Sequence, residues 1–343
     1  MAHALPNRAK LLLGPGPGNL SPGVRLALTA PERGHLDPEF LEVMERVKTG
    51  LRELFRTANP VTFPVSGTGS AGMEFLLRNF LEPGDGLVVA VNGLFGKRIA
   101  NLATQLGARV TAIESPWGEP FDPATLLDAV ARDRPAITAI VTGETSTGVY
   151  QPPAQLADAV RAVGGLLLAD CVTSIAGMPL AIDDWRVDLA FAGTQKCIGC
   201  PPGLAPVTVG PRAMQRFEAR RSAVPSFYFS LSEIIAYIGG QGGRSYHHTA
   251  PIQLIYALAA ALDEAIEEGE QRRCARHADA ADHLIRQLGA LGLEPLVPAG
   301  HRLNPLTTFR IPPAVDEARI RARLLNEHDI EIGGGLGPLA GKV

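Results

Sequence analysis

One lysine and one carboxylate stand where two apolar runs of this chain end. Val187–Ala192 reads as a buried strand, and it delivers Lys196 into a loop flanked by Gly193, Gly199 and Pro201-Pro202. A charge brought up behind a core strand is poorly placed for hydration, and that costs free energy. By itself Lys196 could equally turn outward from the loop. The stretch upstream weighs against that: Gly165–Gly177, GLLLADCVTSIAG, is a second near-continuous apolar strand, and it ends in Asp170. Adjacent core strands tipped by an acid and an amine bring both groups to one sheet edge, the place where open α/β sheets bind ligands. An amine that forms a Schiff base and an acid that holds a pyridinium nitrogen are the two protein groups that pyridoxal phosphate chemistry requires.

A third feature is the segment Val61–Leu81, VTFPVSGTGSAGMEFLLRNFL, a short strand that runs through a glycine-rich turn into a helix. That geometry aims backbone N–H groups at a phosphate. Gly67, Gly69 and Gly72 also spell G-x-G-x-x-G, and a dinucleotide fold would then need an acid at the end of the next strand, about twenty residues on. That strand, Leu87–Val91, ends in Asn92. A single phosphate therefore fits the turn, and a dehydrogenase reading rests on GTGSAG alone.

The elements that must position these groups alternate. Strands are expected at Leu87–Val91, Arg109–Ile113, Ala136–Thr142 and Leu166–Asp170, with helices from Phe95, from Asp122-Pro123 and through Ala157–Val163. Such alternation predicts an α/β fold with a mostly parallel sheet sandwiched by helices. An amphipathic helix over residues 38–55 is opened by Asp37-Pro38. Leu204–Val209 is one more strand, and Pro206 places it at the sheet edge. Gly239–Arg244 reads as a flexible loop, and Pro251 starts a long Ala/Leu-rich helix to about Gly269. Beyond it, helix 271–288, strand Thr307–Ile311, helix Val315–Asn326 and strand Asp329–Ile332 form a smaller α+β unit. The expected organisation is an N-terminal arm at 1–20, a large domain at 21–268 and a small C-terminal domain at 269–343.

With 343 residues, 46% hydrophobic and 20% charged, the composition is that of an ordinary globular protein. A net charge of −3 leaves no basic footprint for nucleic acid. Cys171, Cys197, Cys200 and Cys274 are too few for a disulfide framework. Cys197 and Cys200 form a lone C-x-x-C without the second pair or histidines of a zinc site, so no metal is expected. No apolar run is long enough to cross a membrane, and MAHALPNRAK lacks the apolar centre of a secretion signal. These features point to a cytoplasmic protein, with a peroxisomal or other C-terminal signal left open.

GTQKCIGCPPG, preceded by LADCVTSIAG, resembles the class V, fold type I aminotransferases, in particular the alanine–glyoxylate and serine–glyoxylate (serine–pyruvate) group, and the likeness spans nearly the whole chain. The resemblance implies a large domain built on a mostly parallel seven-stranded sheet, a smaller C-terminal domain, and a homodimer with its active site at the interface. It implies that Lys196 carries pyridoxal 5′-phosphate and Asp170 holds its ring nitrogen. Val172 would lean on one ring face, and Phe95, at a position commonly Trp, would stack on the other. Thr145 would bind the phenolic oxygen. Ser66, Gly67, Thr68 and Gln195 would hold the phosphate, joined by Tyr246 and Thr249 from the partner. His247 and His248 match the same YHHT motif and are given no catalytic part. The arm would lie against the partner, its loop at Gly16 approaching the substrate. Lys196 would shuttle the Cα proton of alanine or serine, with glyoxylate or pyruvate as acceptor, in ping-pong order.

The chain departs from the group at its C-terminus, IEIGGGLGPLAGKV, where a strand carrying a carboxylate-clamping arginine and a final helix are expected to follow. Arginine suits bidentate carboxylate recognition, so the small domain reads as incomplete. Other readings are a different fold type I enzyme (2-aminoethylphosphonate transaminase, cysteine desulfurase or lyase), the dehydrogenase, and a non-catalytic cofactor-binding protein.

Overall fold

Local signals start helices where the sequence places them. Asp37 caps helix Pro38–Phe55 by accepting the Glu39 N–H at 2.8 Å, and Asp122 caps Pro123–Asp133 by accepting those of Ala124 and Thr125. Both helices begin with proline, whose missing N–H would have had no helical partner there.

The structure, a computed structural model, describes residues 8–238 and 245–343, so the expected loop Gly239–Arg244 lies outside the described residues. The chain runs β1 (Leu11–Leu12), α1 (Pro22–Ala27), α2 (Pro38–Phe55), β2 (Val61–Ser66), α3 (Gly69–Phe80), β3 (Gly86–Val91), α4 (Leu94–Gln105) and β4 (Arg109–Glu114). Then follow α5 (Pro123–Asp133), β5 (Ile137–Val141), the hairpin β6 (Gly143–Glu144) and β7 (Val149–Tyr150), α6 (Ala157–Ala162), β8 (Leu166–Asp170), β9 (Leu189–Phe191) and β10 (Leu204–Val209). Helices α7 (Pro211–Glu218), α8 (Leu231–Ile238), α9 (Ile252–Glu268), α10 (Glu270–Gly289) and α11 (Glu317–Glu327) lead to β11 (Ile330–Glu331).

Seven strands form the central sheet in the order β2-β10-β9-β8-β5-β3-β4. Only β10 is antiparallel to its neighbours; the rest point one way. Because strand side chains alternate, each buried strand serves two cores. Val88, Leu167 and Ala169 face one that α2, α5, α6 and α9 complete, and Leu87, Leu166 and Leu168 face one that α3, α4, α7 and α8 complete. This covering of both faces is why the strands read as unbroken apolar runs.

Strand β10 is not an edge: it lies between β9 and β2, and β2 is the edge. Pro206 is tolerated because its carbonyl points to Ala192 N, just past the end of β9, and its direct partner on β2 is Pro64. Neither proline then removes a bond from the β2–β10 ladder. The expected strand Thr307–Ile311 is reduced to a single bridge between Phe309 and Pro295, flanked by the bonds from Leu296 N–H to the Thr308 carbonyl and from Arg310 N–H to the Glu294 carbonyl. The last predicted strand shortens to β11, which pairs in parallel with β1, so the arm lies against its own chain. Helices α9 and α10 meet at Gly269, with φ 78°. Among the described residues, no helix is long and apolar enough to cross a membrane.

Candidate active site

Strands β2, β3, β5, β8 and β9 all end at one edge of the sheet, and Asp170 and Lys196 lie there. Asp170 closes β8, in register with Val141 on β5 and Phe191 on β9. It is 2% exposed; its Oδ1 accepts the Val172 N–H at 2.9 Å, and among the described residues no donor reaches Oδ2. Burial pushes the carboxyl up to about 7, with the charge of Glu144 adding to the effect while the Val172 N–H, Lys196 and Arg98 oppose it.

Lys196 is half-buried in the loop after β9, and burial pulls its ammonium below the ordinary lysine range although Cys197 and Asp170 oppose that. Each of Asp170 and Lys196 feels the other's charge. Nζ donates to the Pro15 carbonyl, at the tip of the N-terminal arm. The next residue, Gly16, has φ +99°, and a Cβ there would lie 2.8 Å from Lys196 Cδ. Glycine is required at that contact by conformation and by space. A cleft of about 440 Å³ opens here, with Gly16, Thr173, Gln195, Lys196, His277 and Asn304 in its wall.

Val172 is wedged between two glycines: a Cβ at Gly69 would meet its Cγ2 at 3.0 Å, and one at Gly193 its Cγ1 at 3.3 Å. Phe95 sits on the first turn of α4, with the Arg98 guanidinium carbon 4.8 Å from its ring centroid. Thr145 and Thr173 share a hydrogen bond between their hydroxyls. Gln195 Oε1 is buried without a partner among the described residues.

The glycine turn differs from expectation. Gly67, at φ +145°, donates its N–H to the Gly203 carbonyl at 2.8 Å, so that N–H is not free for a phosphate. Its role is to make the turn, where a Cβ would lie 2.5 Å from that of Ala71. Among the described residues the N–H groups of Thr68, Gly69 and Ser70, which open α3, have no acceptor. Gly69 and Gly72 let α3 settle on Val172 and on Ala205 and Phe191, a packing use of the motif that needs no dinucleotide.

Ser66 turns away from the Lys196 cleft: its hydroxyl meets His248 Nε2 at 2.8 Å. His248 in turn meets His247 Nδ1 at 2.7 Å, and His247 Nε2 donates to the Phe227 carbonyl at 3.1 Å. Tyr246 and Thr249 are exposed, bonded to each other at 3.3 Å, and line no part of the cleft. Burial pushes the Cys197 and Cys200 thiols up to about 12, leaving them protonated. Among the described residues, no group of three or more His, Cys, Asp or Glu could hold a metal ion.

Sequence reasoning missed Glu144, Ser146, Thr173 and Arg98. Glu144 is fully buried and bonds the start of α4, 49 residues away in sequence. The only local signal is an acid in GETSTG directly behind a core strand, the pattern already noticed at Asp170.

The sequence matches the class-V aminotransferase family over residues 27–338. The chain belongs to that family. It is 36% identical over 343 residues to the alanine–glyoxylate aminotransferase of Felis catus, covering 99% of this chain and 82% of that one. A solved alanine–glyoxylate aminotransferase from Nostoc sp. superposes with a TM-score of 0.97 at 44% identity, covering 100% of this chain and 90% of the other. The ureidoglycine–glyoxylate aminotransferase of Bacillus subtilis gives 0.96 at 34% identity, with coverages of 99% and 87%. The protein is therefore a transaminase of the mostly parallel α/β fold expected, and the dehydrogenase reading of GTGSAG falls. The family implies pyridoxal phosphate, and the donor set fits it. A buried carboxylate with an unpartnered oxygen suits a cationic ring N–H, a desolvated amine suits an aldehyde, and the free N–H groups at the start of α3 suit a phosphate.

Proposed function

We propose that this aminotransferase moves the amino group of alanine or serine to glyoxylate or pyruvate, with pyridoxal 5′-phosphate at the sheet edge described above. One observation carries the reading. Lys196 lines a cleft at the sheet edge where β8 ends in the buried Asp170, in a chain similar over nearly its full length to glyoxylate aminotransferases.

Bound there, the cofactor supplies an aldehyde that condenses with amines and a ring that accepts electrons. The chain's residues do the rest. Asp170 Oδ2 accepts the ring N–H and keeps that proton in place. Val172 and Phe95 bracket the ring, and the Thr145 hydroxyl binds its phenolic oxygen. The N–H groups of Thr68–Ser70 and the side-chain amide of Gln195 bind the phosphate. Lys196 Nζ takes the proton from the substrate α-carbon and returns one later, and its lowered pKa supplies more of the neutral amine that this requires. The Pro15–Gly16 tip closes over the lysine and excludes water. A homodimer completes the site, with exposed Tyr246 and Thr249 reaching the partner's phosphate.

The test is a visible spectrum of the protein with added pyridoxal phosphate, before and after alanine, serine, ureidoglycine and 2-aminoethylphosphonate. Alanine or serine should bleach the band and glyoxylate should restore it. Bleaching by aminoethylphosphonate alone, or by none of the four, would overturn the assignment.

A further inference from the structure

Glu144 is a carboxyl group with no contact with solvent, and the chemistry above makes no use of it. Both of its oxygens are engaged. Oε2 accepts the N–H of Phe95 at 3.0 Å and of Gly96 at 3.3 Å, and Oε1 accepts the N–H of Ser146 at 3.0 Å and its hydroxyl at 2.6 Å. The Ser146 hydroxyl oxygen accepts the Leu94 N–H at 2.8 Å. The three N–H groups that open α4 therefore all end on these two side chains.

The helix cannot cap itself. The residue before it is Gly93, with no side chain to offer, and a Cβ there would lie 2.3 Å from Glu144 Cγ. Helix starts are ordinarily satisfied by a nearby Ser, Thr, Asp or Asn. Here a carboxyl from another strand does so at the cost of its own desolvation, which holds it above the ordinary glutamate range although the four donors oppose that. Three backbone N–H groups and the Ser146 hydroxyl are aimed at its oxygens, an arrangement that suits a carboxylate. The positive end of α4 adds to that preference.

The three residues tied by this arrangement are those the cofactor needs. Phe95 is held through its own N–H, Thr145 follows Glu144 in the chain, and the charge on Glu144 acts on Asp170. One turn along α4, Arg98 lies over the Phe95 ring and donates to Ser70 Oγ at 3.1 Å, at the start of α3.

We propose that Glu144 is a positioning residue of this aminotransferase: it holds the first turn of α4 so that Phe95 keeps its plane against the cofactor ring. This rests on the reading that the site holds pyridoxal phosphate. The charged groups that act on Asp170 are Glu144, Lys196 from the loop after β9 and Arg98 from α4.

Glu144→Gln keeps the shape, removes the charge and turns an NH2 toward N–H donors. Titrated with pyridoxal phosphate, the apoprotein variant should show a Kd roughly 10- to 100-fold above wild type, the loss of one or two charge-assisted hydrogen bonds. The pH midpoint of the bound cofactor's visible band should fall by about one unit, because a negative charge that favours protonated forms has gone. Ser146→Ala frees the Leu94 N–H but leaves the carboxylate. Its Kd should rise a few-fold with the midpoint unmoved, and circular dichroism should show it folded even where Glu144→Gln is not. Wild-type Kd in Ser146→Ala, or a Glu144→Gln protein with unchanged Kd and midpoint, overturns the proposal. A wild-type protein that binds no pyridoxal phosphate removes the reading beneath it as well.

Discussion

Replacing Asp170 by asparagine should stabilise the apoprotein above neutral pH and weaken the cofactor-bound protein. The carboxyl moves from an ordinary value of 3.8 to about 7 on folding, chiefly because it is buried. Between those two values the folded chain holds a proton that the unfolded chain has released, so stability falls as pH rises through the window. At ~1.4 kcal/mol for each tenfold change, the whole effect is roughly 4 kcal/mol, of which some 2–3 kcal/mol falls between pH 5 and pH 8. The amide of Asp170→Asn cannot ionise, yet its oxygen can still accept the Val172 N–H that Asp170 Oδ1 takes at 2.9 Å. The melting temperature of apo wild type should thus drop from pH 5 to pH 8 by more than that of the variant. With saturating pyridoxal phosphate the order reverses, since a ring cation then partners the wild-type carboxylate and the amide cannot match it. Thermal melts of both proteins, apo and loaded, at the two pH values decide this. If the variant and wild type change in parallel with pH, the carboxyl is not desolvated as described; if the cofactor protects both equally, Asp170 does not hold its ring.

Lys196→Ala should lose the absorbance that borohydride fixes and slow transamination by about 10²–10⁴-fold, checked by reduced-protein mass and by steady-state rates. Gly16→Ala forces a side chain into φ +99° and to 2.8 Å from Lys196 Cδ, so it should destabilise by about 1–2 kcal/mol and lower kcat, read by melting and kinetics. Gln195→Leu removes a buried oxygen that has no partner among the described residues, so the apoprotein melt should hold while the Kd for pyridoxal phosphate rises about tenfold. The rate of amine transfer from alanine should level off below pH 10.5, the ordinary lysine value, because burial of Lys196 favours the neutral amine; a profile still rising there would contradict it.

Much of the site was legible because its signals are local. An apolar run that ends in Asp170 and another that leads to Lys196 name the acid, the amine and their common edge within a few residues each. Asp37 and Asp122 announce helices because a cap acts on N–H groups two or three positions ahead. Pro206 misled because its ring was weighed without knowing which neighbour its carbonyl would face. Gly67 misled because an N–H at a helix start looks free until the Gly203 carbonyl is brought beside it. The Thr307–Ile311 run has strand chemistry, but it meets its neighbour in space at one bridge, Phe309 with Pro295.

The sequence by itself determined which segments are buried strands, where their helices start and what chemistry stands at their ends. Those follow from side-chain period and from contacts a few residues long. Only the tertiary structure decided the strand order, the reversal of β10, the pairing of β1 with β11 and the partners of Glu144. A buried polar group takes its hydrogen bonds from whatever chain the sheet order carries to it, and neither spacing nor composition records that neighbour.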